Sequence, residues 1–200
     1  LKTIITVIII FLLSTLLYAG DEETIIGEHY HSGGYGGPVW KFSSINDQNT
    51  FLSGGRGGWI INHMFAIGGG GYSLLSDFEI KDFEDTDQTI EGKPLYMEMH
   101  YGGFELEFIN DSDRLYHWTI HTLIGGGNAK ISQHEPLRKI ESGKFFVIEP
   151  SFNIDFNINK WFRVGVGASY RLVSGLDMNF IADKDLSELN GLIILKFGSF

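Results

Sequence analysis

The chain has 200 residues, 25 of them acidic and 15 basic, for a formal charge of −10 with histidines neutral, and it contains no cysteine. A surface of that sign repels phosphates, which disfavours a nucleic-acid role. The missing thiols exclude disulfides, thiolate metal sites, a cysteine nucleophile and a lipoprotein anchor.

Lys2 is followed by an apolar run from Ile4 to Leu17 and then by Tyr18-Ala19-Gly20. A basic head, an apolar stretch below the ~20 residues that span a bilayer and a small residue at the cut predict a secretory signal peptide at 1–19, removed after Ala19. Residues 20–200 are then a single β-barrel domain, a length suited to one core. His29 and His31, two apart beside Glu28, lie in the tail before the first strand and are not read as a metal site.

Eight strand-like runs follow, near 35–45, 50–61, 64–75, 95–109, 114–126, 144–158, 161–173 and 189–200. Tight-turn sequences join the second to the third (Asn62-His63), the fourth to the fifth (Asn110 to Asp113) and the sixth to the seventh (Asn159-Lys160). The other connections are longer and polar, Ser76 to Pro94, Gly127 to Gly143 and Ser174 to Glu188, with only Asn46 to Asn49 short. Such alternation arises when all connections of one parity lie at the same end of an up-and-down barrel, and outer-membrane barrels have short periplasmic turns and long outer loops. The expected fold is all-β: an eight-stranded antiparallel up-and-down transmembrane β-barrel.

Period-two alternation supports the strands. In the sixth run Phe146, Ile148, Phe152, Ile154 and Phe156 share a face opposite Glu149, Ser151, Asn153, Asp155 and Asn157. The fifth sets Tyr116, Trp118, Ile120 and Ile124 against His117, Thr119 and His121, and the seventh sets Phe162, Val164, Val166 and Ala168 against Arg163, Ser169 and Arg171. In the fourth, apolar parity changes from Leu95, Met97, Met99 and Tyr101 to Phe104, Leu106 and Phe108, which predicts a bulge at Gly102-Gly103. Counting back by twos from Phe200 places Lys196 with Ile194 and Leu192. A lysine facing lipid at the midplane would cost ~2–4 kcal/mol, so an interfacial position or a bulge that turns it inward is expected. Pro38 and Pro150 fall inside strands, where each lacks a ladder donor.

Glycines crowd the first three runs, at Gly33-Gly34, Gly36-Gly37, Gly54-Gly55, Gly57-Gly58 and Gly68 to Gly71. No Lys-Ser/Thr and no helical pattern follows them, so a phosphate loop is rejected. Bends, close backbone approach and the coiling of a small barrel account for them, with Tyr35, Trp40, Trp59 and Tyr72 lying across the bare stretches. The stretch Gly54-Gly55-Arg56-Gly57-Gly58-Trp59-Ile60-Ile61-Asn62-His63, continuing to Tyr72, resembles one in a family of uncharacterised exported bacterial proteins. The plan of the chain beyond the signal resembles small eight-stranded bacterial outer-membrane barrels. A final strand ending on an aromatic residue resembles the end of those barrels, where the segment is read by the barrel-assembly machinery. That resemblance implies that Phe200 is a C-terminal assembly signal with its ring in the periplasmic aromatic girdle. Neither resemblance supplies catalytic residues.

The polar faces gather Arg56, His117, His121, Glu149, Asp155, Arg163 and Arg171, with Lys41, Glu105 and Glu107 beside them. Charges of both signs in similar numbers, in a barrel wide enough only for side chains or one small ligand, predict a lumen filled by ion pairs in preference to a pore. His117 and His121, four apart on a strand, stand ~13 Å from each other, beyond the reach of one ion. The acidic loop from Asp77 to Glu91 lacks the glycine and the spacing of an EF-hand and reads as solvated. No metal and no cofactor is expected.

The expected function is that of a non-catalytic, monomeric outer-membrane barrel with a structural or surface-interaction role, its partners being outer-membrane lipids and the assembly machinery. One alternative is a soluble periplasmic or secreted barrel holding a small apolar ligand, with Phe146, Ile148, Phe152, Ile154 and Phe156 turned inward and Glu149 and Asp155 in water. A second is a lipid-modifying enzyme of the outer membrane, for which Ser132, His134 and Glu135 are the nucleophile constellation on offer, without a G-x-S-x-G elbow.

Overall fold

A computed structural model of the chain describes residues 31–45, 48–76, 78–80, 95–133, 138–179 and 181–200. The signal at 1–19, residues Glu28 and His29, and most of the acidic loop lie outside them. The strands are β1 (Ser32–Ile45), β2 (Gln48–Ile61), β3 (Phe65–Leu74), β4 (Phe78–Ile80), β5 (Leu95–Ile109), β6 (Tyr116–Gln133), β7 (Arg138–Asn159), β8 (Phe162–Tyr170), β9 (Leu172–Ser174) and β10 (Leu189–Ser199), with one helical turn, α1 (Asp183–Leu186), before the last strand. β4 extends β3 along β5, and β9 extends β8 along β7, so ten segments make eight staves. Each stave pairs antiparallel with its neighbour in sequence, and β1 pairs with β10 to close the ring.

Two of the tight turns at one end use residues that tolerate left-handed backbone. Asn62 (φ 50°) and His63 (φ 56°) are the central residues of a turn closed by Met64 N–H donating to Ile61 O at 3.1 Å, within a three-residue connection from β2 to β3. Two positive-φ positions are the mark of the type I′ turn, whose twist matches that of the flanking strands. Asp111 (φ 49°) serves the β5–β6 turn, and the Asn159 side chain accepts from Trp161 N–H at 2.9 Å in the β7–β8 turn. Both prolines sit where rungs are missing. Between Gly36↔Phe197 and Val39↔Ile194 the β1–β10 ladder has no pairs at Gly37 and Pro38. Facing Pro150, which has no N–H to give, the neighbouring stave divides into β8 and β9, while Arg171 N–H donates to Glu188 O at 2.9 Å and continues the pairing on the β10 side.

Register fixes the shape. A path perpendicular to the strands leaves β7 at Ile154 and passes through Val166, Ile193, Trp40, Ser53, Ser73, His100 and Asn128, returning to β7 at Lys144. The stagger is ten residues. With ~3.3 Å per residue and ~4.8 Å between strands, eight strands of that stagger tilt by about 40°.

Two sequence expectations are corrected. The β5 register against β3 and β6 runs unbroken through Gly102-Gly103, so there is no bulge there. Odd-numbered residues of β5 point inward throughout; the chemistry of the two faces is what changes. Leu95, Met97, Met99 and Tyr101 fill the lumen near the loop end, whereas Glu105 and Glu107 occupy it further down. Residues 127–143 are not a long loop either. β6 continues to Gln133 and β7 begins at Arg138, and the register slips at Ile131/Ser132. That hairpin carries polar residues outside and Ala129 and Ile131 inside, so it lacks the apolar outer face of the strand below.

The loop-end half of the lumen is an apolar core that includes Ile45, Leu52, Met97, Met99, Ile131, Phe145, Val147 and Val173. The segment after β9 folds over it: Ile181 and Leu186 are buried in the same core, and Asp183 accepts from Gly175 N–H and Leu176 N–H at 3.1 and 2.8 Å. At the turn end a smaller cluster of Tyr35, Ile60, Ala66 and Ile109 is joined by Phe200.

Candidate functional site

The lumen between these two apolar clusters holds charge. Lys41, Arg56, Glu105, Glu107, Glu149, Asp155, Arg163, Arg171 and Lys196 are all buried, as are His117 and His121. Each comes from the inward parity of its strand, and glycines on facing strands give the long side chains room. A Cβ at Gly70 would collide with the Glu105 carboxylate, and one at Gly54 would fall 2.6 Å from the Tyr72 ring.

Two clusters form. Toward the loop end, Lys41 Nζ lies 2.7 Å from Glu149 Oε1, donates to Tyr101 Oη at 3.1 Å and stands 3.4 Å from the centre of the Tyr72 ring. Glu149 also accepts from Tyr101 Oη at 2.7 Å and from Ser169 Oγ at 2.6 Å. Arg171 donates its Nε to Leu186 O at 2.7 Å, tying the loop segment to the lumen.

Toward the turn end, Lys196 Nζ is shared between Glu107 Oε1 at 2.6 Å and Asp155 Oδ2 at 2.7 Å. Glu107 accepts from Tyr35 Oη at 2.5 Å, and Arg56 Nη2 stands 3.5 Å from it. Glu105 accepts from Tyr72 Oη at 2.9 Å and pairs with His121 Nε2 at 3.3 Å, while His121 Nδ1 is 3.2 Å from Ser151 Oγ. His117 Nε2 is 3.9 Å from Asp155 Oδ2, and Arg163 donates to Ser112 O at 3.0 Å with its guanidinium 3.9 Å over the Phe200 ring.

Tyr35, Tyr72, Tyr101 and Lys196 are the members absent from the polar set expected from sequence, Lys196 being expected either at the interface or turned inward by a bulge. Lys196 shares a face with Ile194 and Leu192, as the count by twos from Phe200 predicts; that face is the lumen, where Leu192 and Ile194 are buried in the apolar core. No bulge is needed. The same parity turns Phe200 inward. Its ring stacks on Tyr35 at 6.3 Å between centroids and on Arg163, so it is not in an outer girdle. Ser132 is buried within β6, not held on an outer rim, and His134 and Glu135 lie outside the described residues. Among the described residues no cluster of metal-ligating side chains is found.

Outside, the polarity is reversed. On β7, Phe146, Ile148, Phe152, Ile154 and Phe156 are exposed, Phe152 to 52%, while Glu149 and Asp155 between them are at most 2% exposed. That arrangement removes the soluble barrel with an apolar cavity. Of the four tryptophans, Trp59, Trp118 and Trp161 are exposed and Trp40 is half-buried on the same outer surface. Near the turn end the aromatics touch in sequence: Phe65 with Phe108, Phe108 with Trp118, Trp118 with Phe152, and Trp161 with Phe162 and Phe197, at 5.3 to 6.2 Å between centroids. At the loop end Phe42 and Phe51 pair at 5.2 Å. From Phe146 to Phe156, ten residues at ~3.3 Å each and tilted by about 40°, the apolar band is ~25 Å tall, the height of the belt on a membrane barrel.

No family model and no curated protein matches the chain. Among solved structures, Neisserial surface protein A aligns at a TM-score of 0.52 and 9% identity over 86% of this chain and 99% of that one. Ail, the attachment invasion locus protein of Yersinia pestis, aligns at a TM-score of 0.49 and 16% identity in its complex with the heparin analogue sucrose octasulfate, over 84% of this chain and 95% of that one. A second structure of Ail gives 0.44 and 14% over 86% and 98%. The chain has the fold of the small eight-stranded outer-membrane β-barrels.

Proposed function

We propose that this chain is a non-catalytic β-barrel of the bacterial outer membrane with a structural or surface-interaction role. The observation that carries it is the apolar belt of exposed Phe, Ile and Trp side chains around a buried charged lumen. Soluble proteins rarely expose an apolar patch beyond a few hundred Å², and here one encircles the molecule. Lipid is the surrounding that satisfies it. Above Gly102 and Gly126 the outer face becomes polar, with Glu98, His100 and Lys144 exposed, and the lumen becomes apolar. The barrel therefore returns to the polarity of a water-soluble protein where it would leave the bilayer.

The role we assign is passive with respect to transport and chemistry. The charged clusters and the apolar core fill the lumen in turn, and Ser151, His121 and Glu105, which stand together in it, are buried. We also propose a monomer whose partners are outer-membrane lipids and the assembly machinery, with Phe200 as the residue that machinery reads. Because the Phe200 ring packs on Tyr35 and Arg163 once β10 has met β1, it would be read before the barrel closes. Membrane fractionation with heat-modifiable migration on gels tests the location. Recovery in the membrane fraction with a faster-migrating unheated band is expected; a soluble periplasmic protein without that shift would overturn it.

A further inference from the structure

The turn between β2 and β3 breaks a local preference. Glycine is favoured at the second central position of a turn whose two centres both have positive φ, and here His63 holds φ 56°. A non-glycine residue kept in left-handed backbone is a pointer to function. The ring of His63 lies against that of His31, the residue before β1, with centroids 5.3 Å apart and planes inclined by 39°. Hydrogen bonds fix the approach: His31 N–H donates to the Asn62 side-chain oxygen at 3.2 Å, and Asn62 N–H donates to His31 O at 2.9 Å. Both histidines are exposed, so their ring nitrogens are within reach of ions in solution.

The separation is the one that a shared ion imposes. Zn–N bonds of about 2.0–2.1 Å put the centre of a ligating imidazole ~3.2 Å from the ion, and a tetrahedral angle between two such rings sets their centroids ~5.2 Å apart. The observed 5.3 Å matches. Imidazole favours late transition ions such as Zn²⁺, whereas Mg²⁺ and Ca²⁺ require sets of oxygen donors. Among the described residues no third histidine or carboxylate joins the pair, so water would complete the coordination. His63 also lines a hollow of about 480 Å³ at the turn end, together with Asp111, Asp113, Arg163 and Phe200. The two carboxylates there favour a cation. The guanidinium beside them is engaged, since Arg163 donates to Ser112 O at 3.0 Å and lies 3.9 Å over the Phe200 ring.

We propose that His31 and His63 together bind one divalent late transition ion of the Zn²⁺ class, which ties the start of β1 to the turn between β2 and β3. The test is calorimetric titration of the folded, tag-free barrel in detergent with Zn²⁺, in the presence of excess Mg²⁺ to occupy exposed carboxylates. One Zn²⁺ should bind per chain. His31→Ala and His63→Gly should each weaken binding by about tenfold or more, since losing a group that merely supports a ligand already costs a metal site about 10–100-fold. Glycine suits the backbone at position 63, so that loss should come with the fold intact, as an unchanged heat-modifiable band would show. His100→Ala, exposed on β5 toward the loop end, should bind as the parent does. With Cu²⁺ in place of Zn²⁺, the electron paramagnetic resonance spectrum should show coupling to two imidazole nitrogens in the parent and to one in either variant. No saturable binding by the parent, displacement of Zn²⁺ by Mg²⁺, unchanged affinity in either variant or equal loss in His100→Ala would overturn the proposal.

Discussion

Lys196 is held between two carboxylates from strands that are distant in sequence, Glu107 on β5 and Asp155 on β7. Replacing it with methionine keeps the bulk and leaves two buried anions without their shared cation. Breaking a buried pair from one side costs about 3–5 kcal/mol. Lys196→Met should therefore lower the urea midpoint of the barrel in vesicles, followed by tryptophan emission, and adding Glu107→Gln should restore part of the loss. A midpoint equal to the parent's would mean that the lumen charges are not energetically coupled. Gly70 makes a related prediction through packing. Valine there meets the Glu105 carboxylate and the Cβ of Arg56, so Gly70→Val should destabilise by roughly 1–3 kcal/mol as an overpacked core position, whereas Gly71→Leu, one residue along and facing out, should not.

At the scale of the strand, β7 was readable from its sequence because a single alternation runs unbroken from Phe146 to Phe156, and its polar partners are of one kind. β5 was not, since it crosses the level at which the bilayer would end. An apolar residue marks the inner face above that level and the outer face below it, so Met99 and Phe104 lie on opposite faces for the same hydrophobic reason. A pattern rule that equates apolar with one face reads this as a slipped register. The upper parts of β6 and β7 read as a loop on similar grounds: Asn128, Lys130, Ser142 and Lys144 look like a solvated connection, and they are the polar outer face of two paired strands. The lumen residues Arg56, Glu149 and Asp155 could be placed from parity alone. Their partners could not, because Lys41–Glu149 and Lys196–Glu107 join residues 108 and 89 apart in sequence. Pro150 gives the test at this scale. Its missing donor divides β8 from β9, so Pro150→Ala restores an N–H at a gap in the ladder. Stability should be unchanged or raised by no more than about 1.5 kcal/mol, and the Tyr170 and Leu172 amides, which face β7, should gain protection from hydrogen exchange. A large destabilisation would show that the break has another cause.

As a whole the molecule is a barrel whose two surfaces exchange character along its axis. Within the apolar belt the lumen is ionic; above it the lumen is apolar and covered by the segment that carries Ile181 and Leu186. Among the described residues buried side chains fill both zones, so planar-bilayer recordings of the purified barrel should show no steady conductance, and stable ohmic steps would contradict a filled lumen. The central claim is that the apolar face of each strand meets lipid. The absence of native cysteine allows it to be measured directly. Single cysteines at Ile148, Phe152 and Ile154, and at Ser151 and Asn153, can each carry a spin label on the barrel in vesicles, with collisions counted against oxygen, which dissolves in lipid, and a water-soluble nickel complex. The first three should show high oxygen and low nickel accessibility, and the two between should be low in both, giving a period of two along β7. Labels at 148, 152 and 154 that are shielded from oxygen, or open to nickel, would place the apolar face inward or in water and contradict the account.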